Sequence, residues 1–241
     1  MSGHSKWANI KRKKEKTDAS RGKIFTKIGR EITVAVRSGG PDPNQNSRLR
    51  DVIAKAKANN VPNDTIAKGI KKAAGEGSSE IYDQITYEGY GPNGVAVIVD
   101  AMTDNRNRTA SDVRHYFDKY GGNLGTNGCV MFMFDKKGII VIEDDGKIDG
   151  DQLMMDALEA GAEDFENEDE MFEIVCDPLN FSATRDALEQ KGYTFFEADL
   201  QMIPQNFVKI DEENIPNMEK LIEFLEDLDD VQNIYHNWDQ E

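Results

Sequence analysis

Apolar residues first recur at helical spacing in the twenties: Ile24, Phe25, Ile28, Ile32, Ala35 and Val36 share one face before Gly39-Gly40-Pro41 halts the run. Asp18 to Ser20 supply candidate N-caps. Asn44 or Asn46 can cap a second helix that turns Leu49, Val52, Ile53 and Ala56 inward and Arg48, Arg50, Lys55 and Lys57 largely outward, and Asn59-Asn60-Val61-Pro62 ends it. Asn63 then caps a third, with Ile66, Ile70 and Ala73 inward. Three short helices with a core of medium and small residues are marginal alone, so the bundle is expected to lean on the rest of the protein or on a ligand. Gly75 to Ser79 reads as a linker.

From residue 81 the period changes to alternation. Ile81 to Glu88 and Val95 to Val99 are strand-like, separated by Gly89-Tyr90-Gly91-Pro92-Asn93-Gly94. Those six residues fit GxGxxG, but a β-branched strand follows where a dinucleotide site needs a helix N-terminus, so they are read as a hairpin turn. Met102 to Thr109 leads into a helix carrying Val113, Tyr116 and Phe117, and Cys129 to Phe134 reads as a fully buried strand. Beyond it, Gly138 to Ile142, Leu153 to Ala160, Phe165 to Val175, Phe181 to Gln190 and Tyr193 to Met202 spell strand-helix-strand-strand-helix-strand, the ferredoxin-like order. Phe207 to Ile210 reads as a strand, Pro216 opens a helix with Leu221, Ile222, Phe224, Leu225 and Leu228 inward, and Val231 to Tyr235 forms a last strand. This C-terminal set would complete the short first α/β block.

The expected fold is therefore α+β: an N-terminal three-helix domain followed by two ferredoxin-like α+β domains, one inserted in the other. The expected boundaries are a basic arm plus three-helix bundle at 1–79, a discontinuous α+β domain at 80–134 and 205–241, and an inserted ferredoxin-like domain at 135–204.

Composition narrows the function classes. The 241 residues are 38% apolar and 31% charged, as in soluble globular proteins, with no apolar run long enough to span a membrane and no apolar core of a secretory signal. The expected setting is the cytoplasm, without a membrane partner. Cys129 and Cys176 lack CxxC spacing and a neighbouring His, and are read as reduced, buried side chains.

Charge is more informative once the chain is divided. Residues 1–80 carry 18 Lys/Arg against 8 Asp/Glu, and residues 81–241 carry 11 against 37. A basic module that meets a polyanion, joined to an acidic body, explains this partition; a solvated basic helix that merely offsets the body also would. The candidate phosphate contacts are Lys6, Lys11, Arg12, Lys13, Lys14 and Lys16 of the arm with Arg21, Lys23, Lys27 and Arg30. Arg106 and Arg108, set among amides between a strand and a helix, are a second candidate contact, although Asp, Asn and Thr there could simply cap the helix. Trp7 could stack on an unpaired base or anchor the arm to the bundle.

Catalytic chemistry is poorly represented. GxxxxGK[ST], HExxH and GxSxG are absent, and His4, His115 and His236 have no partner at metal-ligand spacing. Asp145, Asp149, Gly150 and Asp156 match part of an EF-hand loop, but Lys147 stands where a carboxylate belongs and Asp156 replaces the long bidentate Glu. No enzyme activity, cofactor or metal is expected.

Met-Ser-Gly-His-Ser-Lys-Trp-Ala-Asn-Ile-Lys at 1–11, Asp18 to Phe25, Asn59 to Ile70, Tyr87 to Pro92, Thr103 to Thr109 and Gly121 to Gly125 closely resemble the YebC/PmpR family, over essentially the full chain. The resemblance implies a helical N-terminal domain followed by two α+β domains, one interrupted by the other. It also implies one of several activities: DNA-binding transcriptional regulation in bacterial relatives, translational activation in the mitochondrial relative, or ribosome association that relieves stalling at proline runs. These share a polyanion partner. The expected function is a non-enzymatic nucleic-acid-binding regulator of gene expression, a DNA-binding transcriptional regulator of the YebC/PmpR type. A ribosome- or ribosomal-RNA-associated translation factor is the alternative, and a ligand-binding or enzymatic α+β protein an outside third. Against base reading, the sequence has no clear helix-turn-helix signature, and a Lys-rich arm contacts phosphates without distinguishing bases. The oligomeric state is left open.

Overall fold

The structure, a computed structural model, describes residues 19–75, 81–168 and 170–240, with side chains from residue 22 onward. In chain order the elements are α1 (Ala19–Gly39), α2 (Ser47–Ala58), α3 (Asn63–Ala74), β1 (Asp83–Tyr90), β2 (Ala96–Thr103), α4 (Arg106–Lys119), β3 (Asn123–Leu124), β4 (Phe134–Glu143), α5 (Gly150–Glu159), β5 (Ala162–Glu168), β6 (Met171–Cys176), α6 (Phe181–Gln190), β7 (Glu197–Pro204), α7 (Ile215–Asp227) and β8 (Val231–His236). The protein has three N-terminal helices followed by two four-stranded antiparallel sheets. The described residues gather into two compact units, one within 1–34, 79–135 and 203–241, the other within 35–78 and 136–202.

Asn46 is the hinge pin between the end of α1 and the start of α2. Its Oδ1 accepts the Leu49 N–H at 3.0 Å, and its Nδ2 donates to the carbonyls of Ala35 and Gly40, both at 2.8 Å. A side-chain cap here satisfies a helix N–H that would otherwise be orphaned. A Cβ at Gly39 would lie 2.7 Å from the Asn46 side chain, so the turn needs glycine there. α2 closes with Asn60 in the left-handed region at φ 56°, its N–H bonded to the Lys57 carbonyl and the Val61 N–H to that of Ala56. The third helix differs from the sequence expectation: Asn63 is its first residue rather than its cap, because Pro62 precedes it in extended conformation.

The first sheet has strand order β3-β1-β2-β8. β1 and β2 form a hairpin turned by Pro92–Gly94, with Asn93 and Gly94 at φ 54° and 77°, so the GxGxxG stretch is a turn. The C-terminal β8 pairs antiparallel with β2. One face of this sheet is closed by α4 and α7, which bring Val113, Phe117, Leu221, Ile222 and Leu225 against Val95, Val97, Val99 and Val231.

The second sheet has order β5-β6-β4-β7. With α5 between β4 and β5 and α6 between β6 and β7, this is the ferredoxin-like arrangement. Its core joins Ile140, Ile142, Phe172, Ile174 and Cys176 to Leu153, Ala157, Phe181 and Leu188. Ile139, Val141 and Glu173, on the opposite face, are equally buried. α2 leans on α6 through a buried ion pair: Arg185, 1% exposed, places Nη1 2.6 Å from Asp51, whose carboxylate also accepts the Ser182 hydroxyl. The bundle thus takes support from the α/β body, as its small core requires.

Two stretches depart from the sequence reading. Cys129 to Phe134 is not a buried strand: Met131–Met133 form one 3-10 turn, Phe132 is 66% exposed, and β4 starts only at Phe134. The strand does not form because the backbone here turns to donate to a buried carboxylate, described below. Phe207 to Ile210 makes a single bridge, Val208 to Trp238, in place of a strand.

Candidate nucleic-acid interface

Lys6, Trp7, Lys11, Arg12, Lys13, Lys14 and Lys16 lie outside the described residues, as does the side chain of Arg21, whose backbone belongs to α1. Lys23, Lys27 and Arg30 follow at i, i+4 and i+7, so one stripe of α1 carries all three cations. That stripe lies along the C-terminal end of α7. Lys23 Nζ is 2.6 Å from Asp227, Lys27 Nζ donates to the Glu226 carbonyl at 3.1 Å, and Arg30 Nη1 is 2.6 Å from Asp230. A helix C-terminus carries a partial negative charge and unsatisfied carbonyls, so it attracts cations before any partner arrives.

Asp230 organises the inner part of this contact. It is 7% exposed and accepts from Arg30, from Arg108 Nη2 at 2.8 Å, from Thr109 Oγ1 at 2.7 Å and from Thr103 Oγ1 at 3.1 Å. Its backbone carbonyl takes the Met102 N–H, and Arg30 also donates to the Met102 carbonyl at 2.8 Å. Burial pushes the carboxyl upward, but the hydrogen bonds from Arg108, Thr109 and Arg30 outweigh it and hold the group at about 2. Arg108 and Arg30 are therefore brought together on one carboxylate. Arg106 is not part of this cluster: its Nε lies 2.7 Å from Asp83, and it is 64% exposed. Asn105 caps α4 by accepting the Arg108 N–H at 3.1 Å, so capping and cation display coexist in one loop.

Three features escaped the sequence reading. Asp230 carries no signal in Leu228-Asp229-Asp230, because its partners lie 121 to 200 positions away. Glu88 is 4% exposed, and its carboxylate accepts the backbone N–H groups of Gly128, Val130 and Met131 at 2.6, 2.9 and 2.8 Å. Burial pushes Glu88 up, and the three backbone donors together bring it below its ordinary value. On α3, Lys68 and Lys71 stand exposed one turn apart, an outward basic face that the sequence reading had not singled out.

Metal chemistry gains no site from this geometry. Among the described residues no group of three or more His, Cys, Asp or Glu is placed to hold a metal ion. Asp156, the last residue of the EF-hand-like stretch, is taken up by Lys191 at 2.6 Å, Tyr193 at 2.7 Å and Gln152 at 3.1 Å. No helix among the described residues is long and apolar enough to cross a membrane.

Two family models match most of this chain: the TACO1/YebC protein N-terminal domain over residues 5–76 and the TACO1/YebC second and third domain over residues 82–238. The chain belongs to the TACO1/YebC family. Relatives include a probable transcriptional regulatory protein of Acetivibrio thermocellus, 65% identical over 239 residues and 99% of each chain. Another, of the same description, comes from Ruminiclostridium cellulolyticum, 63% identical over 242 residues, with 100% of this chain and 98% of the relative covered. The crystal structure of a conserved hypothetical protein from Aquifex aeolicus superposes with a TM-score of 0.84 at 45% identity, covering 93% of this chain and 92% of that one. The N-terminal TACO1/YebC match takes in α2, α3 and the cationic stripe of α1. The second match takes in Glu88, Arg106, Arg108 and Asp230.

Proposed function

We propose that this TACO1/YebC protein is a non-enzymatic, nucleic-acid-binding regulator of gene expression that acts on transcription by binding DNA in the cytoplasm. The observation that carries the reading is the charge partition, 18 Lys/Arg against 8 Asp/Glu before residue 81 and 11 against 37 after it. Such a chain meets a polyanion first with its N-terminal third, while the net charge of the rest is repulsive, which orients the encounter. The relatives' description as probable transcriptional regulatory proteins supports the same reading. Exposed Lys68 and Lys71 on α3 add to the same basic N-terminal third.

In this account Lys6, Lys11, Arg12, Lys13, Lys14, Lys16 and Arg21 neutralise phosphates, with Trp7 beside them. Lys23 and Lys27 exchange their α7 partners for phosphate as the interface forms, and exposed Arg106 does the same with Asp83. Arg30 and Arg108 hold the platform together through Asp230. The division into 1–79, 80–134 with 205–241, and 135–204 is the working domain arrangement.

The test pairs two assays on the full chain: binding to labelled promoter fragments, and co-sedimentation with ribosomes. Selective promoter binding at physiological salt without ribosome association supports the transcriptional reading. Ribosome association without promoter selectivity overturns it in favour of a translation factor.

A further inference from the structure

The stretch from Gly121 to Phe134 is without a charged residue, in a chain of which 31% is charged. It is also fastened at nearly every step to β1. Glu88 takes three of its N–H groups with the carboxylate and a fourth, that of Gly125, with its backbone carbonyl at 2.8 Å. Tyr90 donates its hydroxyl to the Cys129 carbonyl at 3.0 Å, and the Met133 carbonyl accepts the Gln205 N–H at 2.9 Å. Gly128 supplies a left-handed residue at φ 85°. Burying a carboxylate against backbone donors alone is costly unless every bond is made, and here it rigidifies the loop. Phe132 is 66% exposed, between half-buried Met131 and Met133, and Thr126 and Asn127 of the same loop are exposed as well.

A single exposed aromatic in an uncharged loop is too small an apolar area for a protein interface, which needs a cluster of buried anchors. Its ring face matches the flat π-surface of a nucleobase. The stretch from Gly121 to Phe134 adds no carboxylate of its own to the surface of an otherwise acidic body, exposed Asp135 lying just beyond it, and the clamped backbone removes the ordering cost of binding. We propose that Phe132 is a stacking platform for an unpaired nucleobase of a single-stranded nucleic acid, held in place by Glu88. This deepens the nucleic-acid reading above and rests on it, adding strand state to what the protein recognises.

The experiment measures fluorescence anisotropy of the full chain with a mixed-sequence 16-nucleotide RNA, its DNA counterpart, and both as duplexes, for wild type, Phe132→Ala and Phe132→Trp. Phe132 is exposed, so thermal melts of the variants should match wild type. Phe132→Ala is expected to weaken single-strand binding about tenfold, within the range for removal of one stacked base, and to leave duplex affinity unchanged, while Phe132→Trp retains single-strand affinity. The RNA and DNA strands separate the two sources of the base: the strand that suffers the larger drop in affinity is the one whose base Phe132 holds. Equal affinities for wild type and Phe132→Ala on both single strands overturn the proposal. Equal drops on strands and duplexes overturn it as well. Absence of wild-type binding to all four probes at low salt overturns the nucleic-acid reading itself, a distinct result.

Discussion

Replacing Asp230 with Asn keeps the shape of the side chain and removes the charge on which Arg30, Arg108, Thr103 and Thr109 converge. Two quantities set the size of the effect. The carboxyl is held at about 2, against an ordinary 3.8, a difference worth about 2 kcal/mol at neutral pH. Breaking a buried ion pair by removing one partner costs about 3 to 5 kcal/mol, but Arg108 is 46% exposed and keeps Asp104 at 2.8 Å, so the loss falls mainly on Arg30, 14% exposed and left with the Met102 carbonyl. A loss of about 3 kcal/mol is therefore expected, which for a chain of this length lowers Tm by about 6–12 °C. Because the folded value is depressed, the stabilisation is complete above the unfolded value and is lost as pH falls towards 2. The gap between wild type and Asp230→Asn should thus narrow by about 1 kcal/mol between pH 6 and pH 3. Urea denaturation at a series of pH values measures both, with Asp104→Asn, a 60% exposed partner of Arg108, as a control expected to cost below about 1 kcal/mol. If Asp230→Asn is no worse than that control, or its cost is the same at pH 3 as at pH 6, the assignment of Asp230 as the charge that docks α1 is wrong.

Two further outcomes follow from the same structure. Glu88→Gln replaces one acceptor oxygen by an NH2 group facing backbone donors, so it should cost about 2 to 3 kcal/mol and speed amide hydrogen exchange at Gly128, Val130 and Met131, read by NMR; unchanged exchange would show that the loop holds without it. Cys176 is fully buried and pushed up to about 11, chiefly by burial, and Cys129 is raised by burial and by the Glu88 charge. A thiol reagent at pH 7 should leave Cys176 untouched until the protein unfolds and modify Cys129 slowly; rapid modification of both in the native protein contradicts this.

Much of the fold was legible in the sequence because period and punctuation agreed. Asn46, the Gly39-Gly40-Pro41 stop, Pro216 at the start of α7 and the alternation after Gly138 all act through residues a few positions apart. The failures are non-local. Cys129 to Phe134 has the composition of a buried strand, and only the arrival of Glu88, some 40 positions earlier, diverts its N–H groups from a ladder. Lys23, Lys27, Arg30 and Arg108 were legible as cations, but not as cations already engaged, since Asp227, Glu226 and Asp230 reach them only through the return of the C-terminal elements to the first sheet. Net charge reports how many charges a segment has; topology decides which of them remain for a partner.

The most direct test of nucleic-acid binding through the basic N-terminal segment is the salt dependence of affinity for duplex DNA, compared between wild type and a variant with Lys11, Arg12, Lys13 and Lys14 replaced by Gln. Every phosphate that is no longer neutralised should reduce the slope of log K against log salt by roughly 0.9. The account predicts weaker binding and a slope flatter by about 3 to 4. Equal slopes for the two proteins, or wild-type binding that does not change with salt, would contradict it.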